Sequence, residues 1–255
     1  MTVRVQVQGR GRDLVLLHGW GVTAAVWRSL GAELARDYCV HAVEMPGFGI
    51  SAEAGCDTLP ALVDALAAAL PQRATVCGWS LGGQAALAWA QRHPAQVERL
   101  VLLATTPRFV CADDWTNGMS GSEFEDFAAD VAANPPRARL RFLTLQANGD
   151  GAAHAVLREL REAIARGGVA AGIALSAGLQ MLRDVDLRGE LPKIAQPALV
   201  MHGVNDAVTP HAAGEYLART LAHADFESVP AAAHALFVTR EALVAKRIRA
   251  FDGRR

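Results

Sequence analysis

No apolar run in this chain reaches the roughly 20 residues that a bilayer-spanning helix needs. The amino-terminal segment MTVRVQVQGRGRD is polar and alternating, without the apolar stretch of a secretory signal. Cysteine is scarce. Cys39, Cys56, Cys77 and Cys111 lie far apart, with neither a C-x-x-C pair nor a Cys/His metal spacing. They are expected to be buried free thiols, which fits a cytoplasmic location. An excess of charge of one sign is also lacking. The formal net charge is −1, so the molecule as a whole offers no attraction to nucleic acid or to an anionic membrane. No metal or organic cofactor is expected, and the chain is expected to be a monomer.

What is present suits a packed α/β protein. Hydrophobic residues make up 51% of the 255 residues and charged residues 20%, a composition that buries a core. Val3 to Val7 alternates, as an edge strand does. Short, wholly apolar runs follow at Leu14–Leu17, Val40–Met45, Thr75–Cys77, Leu100–Leu103, Ala198–Met201 and Phe226–Val229. Runs of this kind suit strands covered on both faces of a parallel sheet. Helical spacing appears between them, at Val26–Leu34, Leu59–Leu70, Leu81–His93, Ala212–Leu221 and Glu241–Phe251. This alternation predicts a doubly wound, mostly parallel α/β sheet. It breaks between about Phe109 and Leu187, a stretch that reads as helix only. Phe124, Phe127, Ala128 and Val131 share one helical face there. Pro135-Pro136 ends one helix and starts the next, and Gly149–Gly151 and Gly167-Gly168 divide others. The expected division is a core of residues 1–108 and 188–255 with a helical cap, 109–187, inserted in it.

Gly78-Trp79-Ser80-Leu81-Gly82 is a G-x-S-x-G motif between a predicted strand and a predicted helix. A nucleophilic serine needs a sharp turn to clear the sheet, and small neighbours make room for it. The hydroxyl also needs a base. In this strand order the acid and the histidine follow the serine along the chain. Asp206 comes just after the Ala198–Met201 strand and His234 just after the last strand, so both fall on the sheet edge that carries Ser80. Asp206 can alternatively be a turn residue before Val208-Thr209-Pro210. His202, the other histidine near Asp206, is expected to pack or cap. His41, His93, His211 and His223 read as strand, helix-end or surface residues. His18-Gly19-Trp20-Gly21 follows the first buried strand. Its Trp20 N–H and the N–H of Leu81 are the expected oxyanion donors. The Trp20 and Trp79 rings are expected to wall the pocket.

The segments LVLLHGWG (14–21), MPGFG (45–49), GWSLGG (78–83), RFLTLQ (141–146), VDLR (185–188), HGVNDAVTP (202–210) and AAAHA (231–235) occur in this order. Together they resemble the pimeloyl-[acyl-carrier protein] methyl ester esterases, of the α/β-hydrolase fold. The resemblance implies a carboxylesterase of biotin synthesis that removes methanol from a pimeloyl methyl ester carried on acyl carrier protein. It implies a Ser80–His234–Asp206 triad working through an acyl-enzyme. It also implies substrate contacts from Trp20, Leu81 and the stretch Phe142, Leu143, Thr144, Leu145 and Gln146. Glu44, Ile50 and Leu236 depart from the residues common in the family. Other readings are a general short-chain carboxylesterase, a C–C bond hydrolase of the same fold, or a non-catalytic acyl or carrier-protein binding module.

The insertion carries its own charge pattern. Between positions 137 and 161 stand Arg137, Arg139, Arg141, Arg158 and Arg161 against Asp150 and Glu159, a local +3. In helices, Arg137 and Arg141 share a face, and so do His154, Arg158 and Arg161. Leu140, Leu143, Val156, Leu157, Leu160 and Ile164 are expected on the buried sides. Acyl carrier proteins are acidic, so the basic face is expected to dock one.

Overall fold

The structure, a computed structural model, describes residues 3–46, 56–167 and 172–253. The expectations for Gly47, Phe48, Gly49, Ile50 and Gly168 lie outside the described residues.

Seven strands form one sheet: β1 (Arg4–Gly9), β2 (Arg12–Leu17), β3 (Tyr38–Glu44), β4 (Ala74–Trp79), β5 (Val97–Leu103), β6 (Ala198–Gly203) and β7 (Ala224–Val229). Their spatial order is β1-β3-β2-β4-β5-β6-β7. β1 runs antiparallel to β3 at the edge, and every other pairing is parallel. The wholly apolar strands are the ones covered on both faces. Val15, Leu17, Val43, Val76, Leu100, Leu102 and Val200 face one core. Leu14, Leu16, Val40, Cys77, Val101, Leu103 and Met201 face the other. Helices α2 (Leu59–Ala69), α3 (Leu81–Arg92) and α8 (His211–Thr220) cover the first face; α1 (Arg28–Leu34) and α10 (Glu241–Asp252) cover the second. These helices start within two residues of where the sequence predicts. Thr58 caps α2 by accepting from the Ala61 N–H.

The chain leaves β2 toward β3 on one side and returns to place β4 on the other. β2 and β4 are therefore adjacent, and their following loops diverge. This is the topological switch point where open α/β sheets hold their ligands.

Four helices replace the alternation between β5 and β6: α4 (Gly121–Ala133), α5 (Pro135–Ala147), α6 (Ala153–Gly167) and α7 (Gly172–Asp184). Ser120 and Glu123 form a capping box on α4, and Asn134 caps α5 ahead of Pro135-Pro136. Among the described residues these helices have no core of their own. Phe124, Val131, Phe142 and Leu179 join the first sheet core, and Leu143, Val156 and Leu160 join the second. One expected burial is overturned: Leu140 is 46% exposed, because the α5 register that buries Arg139 and Leu143 turns it outward.

The two crossings of the helical segment lie side by side. Leu187 N–H donates to the Pro107 carbonyl, and Arg108 meets the Asp186 carboxylate at 2.7 Å. Arg188 meets the same carboxylate at 2.7 Å. Hydrogen bonds from Arg188 and then Arg108 outweigh burial and hold the Asp186 carboxyl well below the usual carboxylate range. A carboxylate depressed by folding contributes stability in full above its unfolded pKa of about 3.9, and that contribution is lost as pH falls toward the folded value. Asp186→Asn is therefore expected to cost about 1–2 kcal/mol at pH 7. The difference from wild type should shrink progressively below pH 4 in chemical denaturation. A constant difference across that window would contradict the clasp.

The cysteines are free, but only Cys56 and Cys77 are buried; Cys39 and Cys111 are partly buried. The sequence pattern places no helix between the last strand and Glu241. A short turn of helix, α9 (Leu236–Thr239), follows His234.

Candidate active site

Ser80 joins β4 to α3 with φ 56° and ψ −120°, a left-handed backbone that a non-glycine residue adopts only under constraint. Its neighbours show why glycine is required. A Cβ on Gly78 would lie 2.3 Å from the Gly82 carbonyl oxygen, and one on Gly82 would lie 2.2 Å from that of Leu17. The turn is held from β5: the Ser80 N–H donates to the Leu103 carbonyl at 3.1 Å, and the Thr105 hydroxyl donates to the Ser80 carbonyl at 2.6 Å. Thr105 has no signature in the sequence that marks this role.

Asp206 and His234 meet as the sequence predicts. His234 Nδ1 lies 2.8 Å from Asp206 Oδ2, with both side chains fully buried. A carboxylate only accepts, so Nδ1 carries the proton and Nε2 of the neutral ring is the acceptor. The remaining bonds fix the carboxylate. Oδ1 accepts the N–H groups of Val208 at 2.8 Å and Thr209 at 2.9 Å. Oδ2 also meets the Thr209 hydroxyl at 2.9 Å and His202 Nε2 at 3.3 Å. Burial alone would raise the Asp206 pKa, but His234 and His202 outweigh it and hold the carboxyl well below the usual range. His202 packs, as expected, with Nε2 also 2.9 Å from the Thr209 carbonyl.

Among the described residues His234 Nε2 is buried without a hydrogen-bond partner. Ser80 Oγ does not bond to it in this conformation. Catalytic hydrogen bonds of this kind often tighten only when substrate is bound. The Trp79 indole ties the two regions together, donating to the His234 carbonyl at 2.9 Å with its ring centroid 5.5 Å from the imidazole.

The His18–Gly21 loop lies against the serine, since a Cβ on Gly19 would come within 3.2 Å of Ser80 Cβ. Leu81 is the first residue of α3, so its N–H lies ahead of the helix's own bonding pattern. The tryptophan rings do not wall the cavity. Both are buried: Trp79 packs on Trp27 and Phe237, and Trp20 packs edge-on against Phe127 and Phe142 while donating to the Leu175 carbonyl. Trp20 thus links the loop to α4, α5 and α7.

A cavity of about 800 Å³ lies in the helical segment. Phe127, Phe142, Leu145, Thr144 and His154 line it, and Ala207 and Val208 connect it to the Asp206 loop. Of the 142–146 stretch, Leu143 instead packs in the second core. Gln146 is buried, with both amide atoms unpartnered among the described residues.

Two charges counted at the surface are not there. Arg139 is buried and its Nε donates to the Gly21 carbonyl beside Glu44. Glu44 is itself buried, 3.4 Å from His18 Nε2. Asp150 is buried too and accepts the Ala233 N–H at 3.2 Å. Gly151 N–H donates to the Ala231 carbonyl, and the Asn205 amide donates to the Gly149 carbonyl. The Gly149–Gly151 turn therefore latches the helical segment to the loops of both Asp206 and His234. The surface charge is unchanged at +3, with Arg137, Arg141, Arg158 and Arg161 facing Glu159.

A serine on a strained strand–helix turn, an imidazole fixed by a buried carboxylate and the His18–Gly21 loop packed beside the serine define a serine hydrolase of the α/β class. The alpha/beta hydrolase fold family matches residues 14–241. An esterase from Exiguobacterium antarcticum superposes with a TM-score of 0.86 at 23% identity, covering 98% of this chain and 96% of that one. Nitrosomonas europaea has a pimeloyl-[acyl-carrier protein] methyl ester esterase 39% identical to this chain, over 93% of this chain and 94% of that protein. The relative of the same name from Aromatoleum aromaticum is 41% identical, over 89% and 92%. The chain belongs to the pimeloyl-[acyl-carrier protein] methyl ester esterase family of α/β hydrolases and is a carboxylic-ester hydrolase. Among the described residues no helix is long and apolar enough to cross a membrane.

Proposed function

We propose that this chain hydrolyses the methyl ester of a pimeloyl chain carried on acyl carrier protein, releasing methanol and a free carboxylate. The observation that carries the reading is the buried Asp206–His234 bond beside the Ser80 turn, in a chain whose relatives bear that name. His234 Nε2 takes the Ser80 proton as Oγ attacks the ester carbonyl. The N–H groups of Trp20 and Leu81 hold the oxyanion, each contributing about 3 kcal/mol. His234 then protonates the departing methoxide, and water activated by the same imidazole cleaves the acyl-enzyme. Residues 109–187 act as a cap on the core formed by 1–108 and 188–255. Phe142, Thr144 and Leu145 line the acyl path and Leu143 supports it from behind, while Gln146 is buried off the cavity lining. The test is methanol release from carrier-linked pimeloyl methyl ester against a free short-chain ester. Equal kcat/KM on both would leave only a general esterase.

The carrier docks on Arg137, Arg141, His154, Arg158 and Arg161. All five are exposed, and His154 and Arg141 also border the cavity. Arg141 is partly engaged by Asp130, which leaves Arg137 as the freer charge on that helix. Reversing both Arg137 and Arg141 to Glu is expected to raise KM for the carrier-linked ester about ten-fold, from two rim contacts of about 0.5–1 kcal/mol each. KM for a free ester should not move. An equal rise on both substrates rejects docking at this face.

A further inference from the structure

A second group of reactive side chains lies at the opposite edge of the sheet from Ser80. Asp13 is the second residue of β2 and Cys39 the second of β3, and the register pairs them directly. His41 follows two residues after Cys39, so it projects from the same face. One ligand-capable atom from each of the three lies within 4.8 Å of the other two. His41 Nε2 is 2.6 Å from Asp13 Oδ1, and the Cys39 thiol lies beside the same carboxylate. The trio is accessible, with side-chain exposures of 12% for His41 and 36% for Asp13.

A cysteine, a histidine and an aspartate can form a nucleophilic relay or a metal site. A relay places the imidazole between thiol and carboxylate. Here the carboxylate occupies the shared position, with the thiol and imidazole both turned toward it. The three ligand-capable atoms are thus gathered within 4.8 Å of one another, with Asp13 common to both contacts.

We propose that Asp13, Cys39 and His41 bind a divalent transition ion of the zinc class, with water completing a tetrahedron. Thiolate and imidazole together select zinc or cobalt over magnesium or calcium. Ligand atoms around zinc sit about 3.2–3.6 Å apart, given bond lengths of about 2.0–2.3 Å, so the side chains need to move by only about an ångström. On binding, the thiol proton passes to solvent, the imidazole proton shifts to Nδ1, and bonds form from the metal to Sγ, Nε2 and one carboxylate oxygen.

Cobalt(II) titrated into the reduced, full-length protein tests this. One ion per chain should bind with a thiolate-to-cobalt charge-transfer band, and zinc should displace it. Cys39→Ser should abolish the band, while His41→Gln and Asp13→Asn should each weaken binding about ten-fold or more. Cys111→Ser, at the other partly buried thiol, should leave it intact. Absence of the band in wild type, its survival in Cys39→Ser, or its loss in Cys111→Ser would each overturn the proposal. Should Cys39→Ser fail to fold, the wild-type band together with the His41 and Asp13 variants decides.

Discussion

Ser80→Ala is expected to lower kcat for the carrier-linked methyl ester by about 10⁶-fold, to the residual rate that oxyanion donors and binding supply without a nucleophile. The variant should remain folded. The Ser80 side chain makes no capping bond to α3. Alanine already takes a positive φ at two other places in this chain, Ala104 at 44° and Ala231 at 52°. The turn is held through Ser80's main-chain groups, by Leu103 and Thr105, and alanine retains these. Thermal unfolding should therefore match wild type within a few degrees while methanol release disappears. A variant with more than about one per cent of wild-type kcat would remove Ser80 from the mechanism.

Asp206→Asn is expected to lower kcat by about 10⁴-fold with little change in fold. The direction follows from which oxygen is already committed. Two backbone N–H groups, of Val208 and Thr209, point at Oδ1, so the amide oxygen of asparagine must take that place. Its NH₂ then lands at the Oδ2 position, 2.8 Å from His234 Nδ1. A donor there forces the imidazole proton to Nε2, and the ring cannot accept from Ser80. Asp206→Ala lacks that donor and leaves the tautomer free, so it should be no more impaired in kcat than the asparagine variant despite losing more stability. KM should be nearly unchanged in both, because Asp206 does not line the cavity. A full-rate Asp206→Asn enzyme would show that another residue orients His234, and His202 would be the first to examine.

The fold was legible wherever local pattern and topology agree. Apolar runs marked β2 to β6 because strands covered on both faces tolerate no alternation, and the break in that rhythm marked the helical segment. The site was legible for a related reason. The elbow at Ser80 demands glycines at fixed offsets, and in a parallel sheet any loop following a strand emerges at the same edge, so Asp206 and His234 could be placed without coordinates. Side-chain direction was less accessible. Charge counting put Arg139 and Asp150 at the surface, whereas α5 turns Arg139 inward to the Gly21 carbonyl and the Gly149–Gly151 turn carries Asp150 beneath the His234 loop.

The sequence by itself determined the order of strands and helices, the nucleophile turn and the identity of the three residues around which the chemistry is organised, because each rests on short-range geometry or on strand direction. Only the tertiary structure decided that Thr105 bonds the Ser80 turn, that Asp150 bonds the loop before His234, that Glu44 lies against His18, and that the Trp20 ring links a loop to α4, α5 and α7. Asp150 and Ala233 are 83 positions apart, and Trp20 and Leu175 are 155 apart. Contacts over such separations depend on how packed helices are rotated, and no local pattern in the chain encodes that rotation.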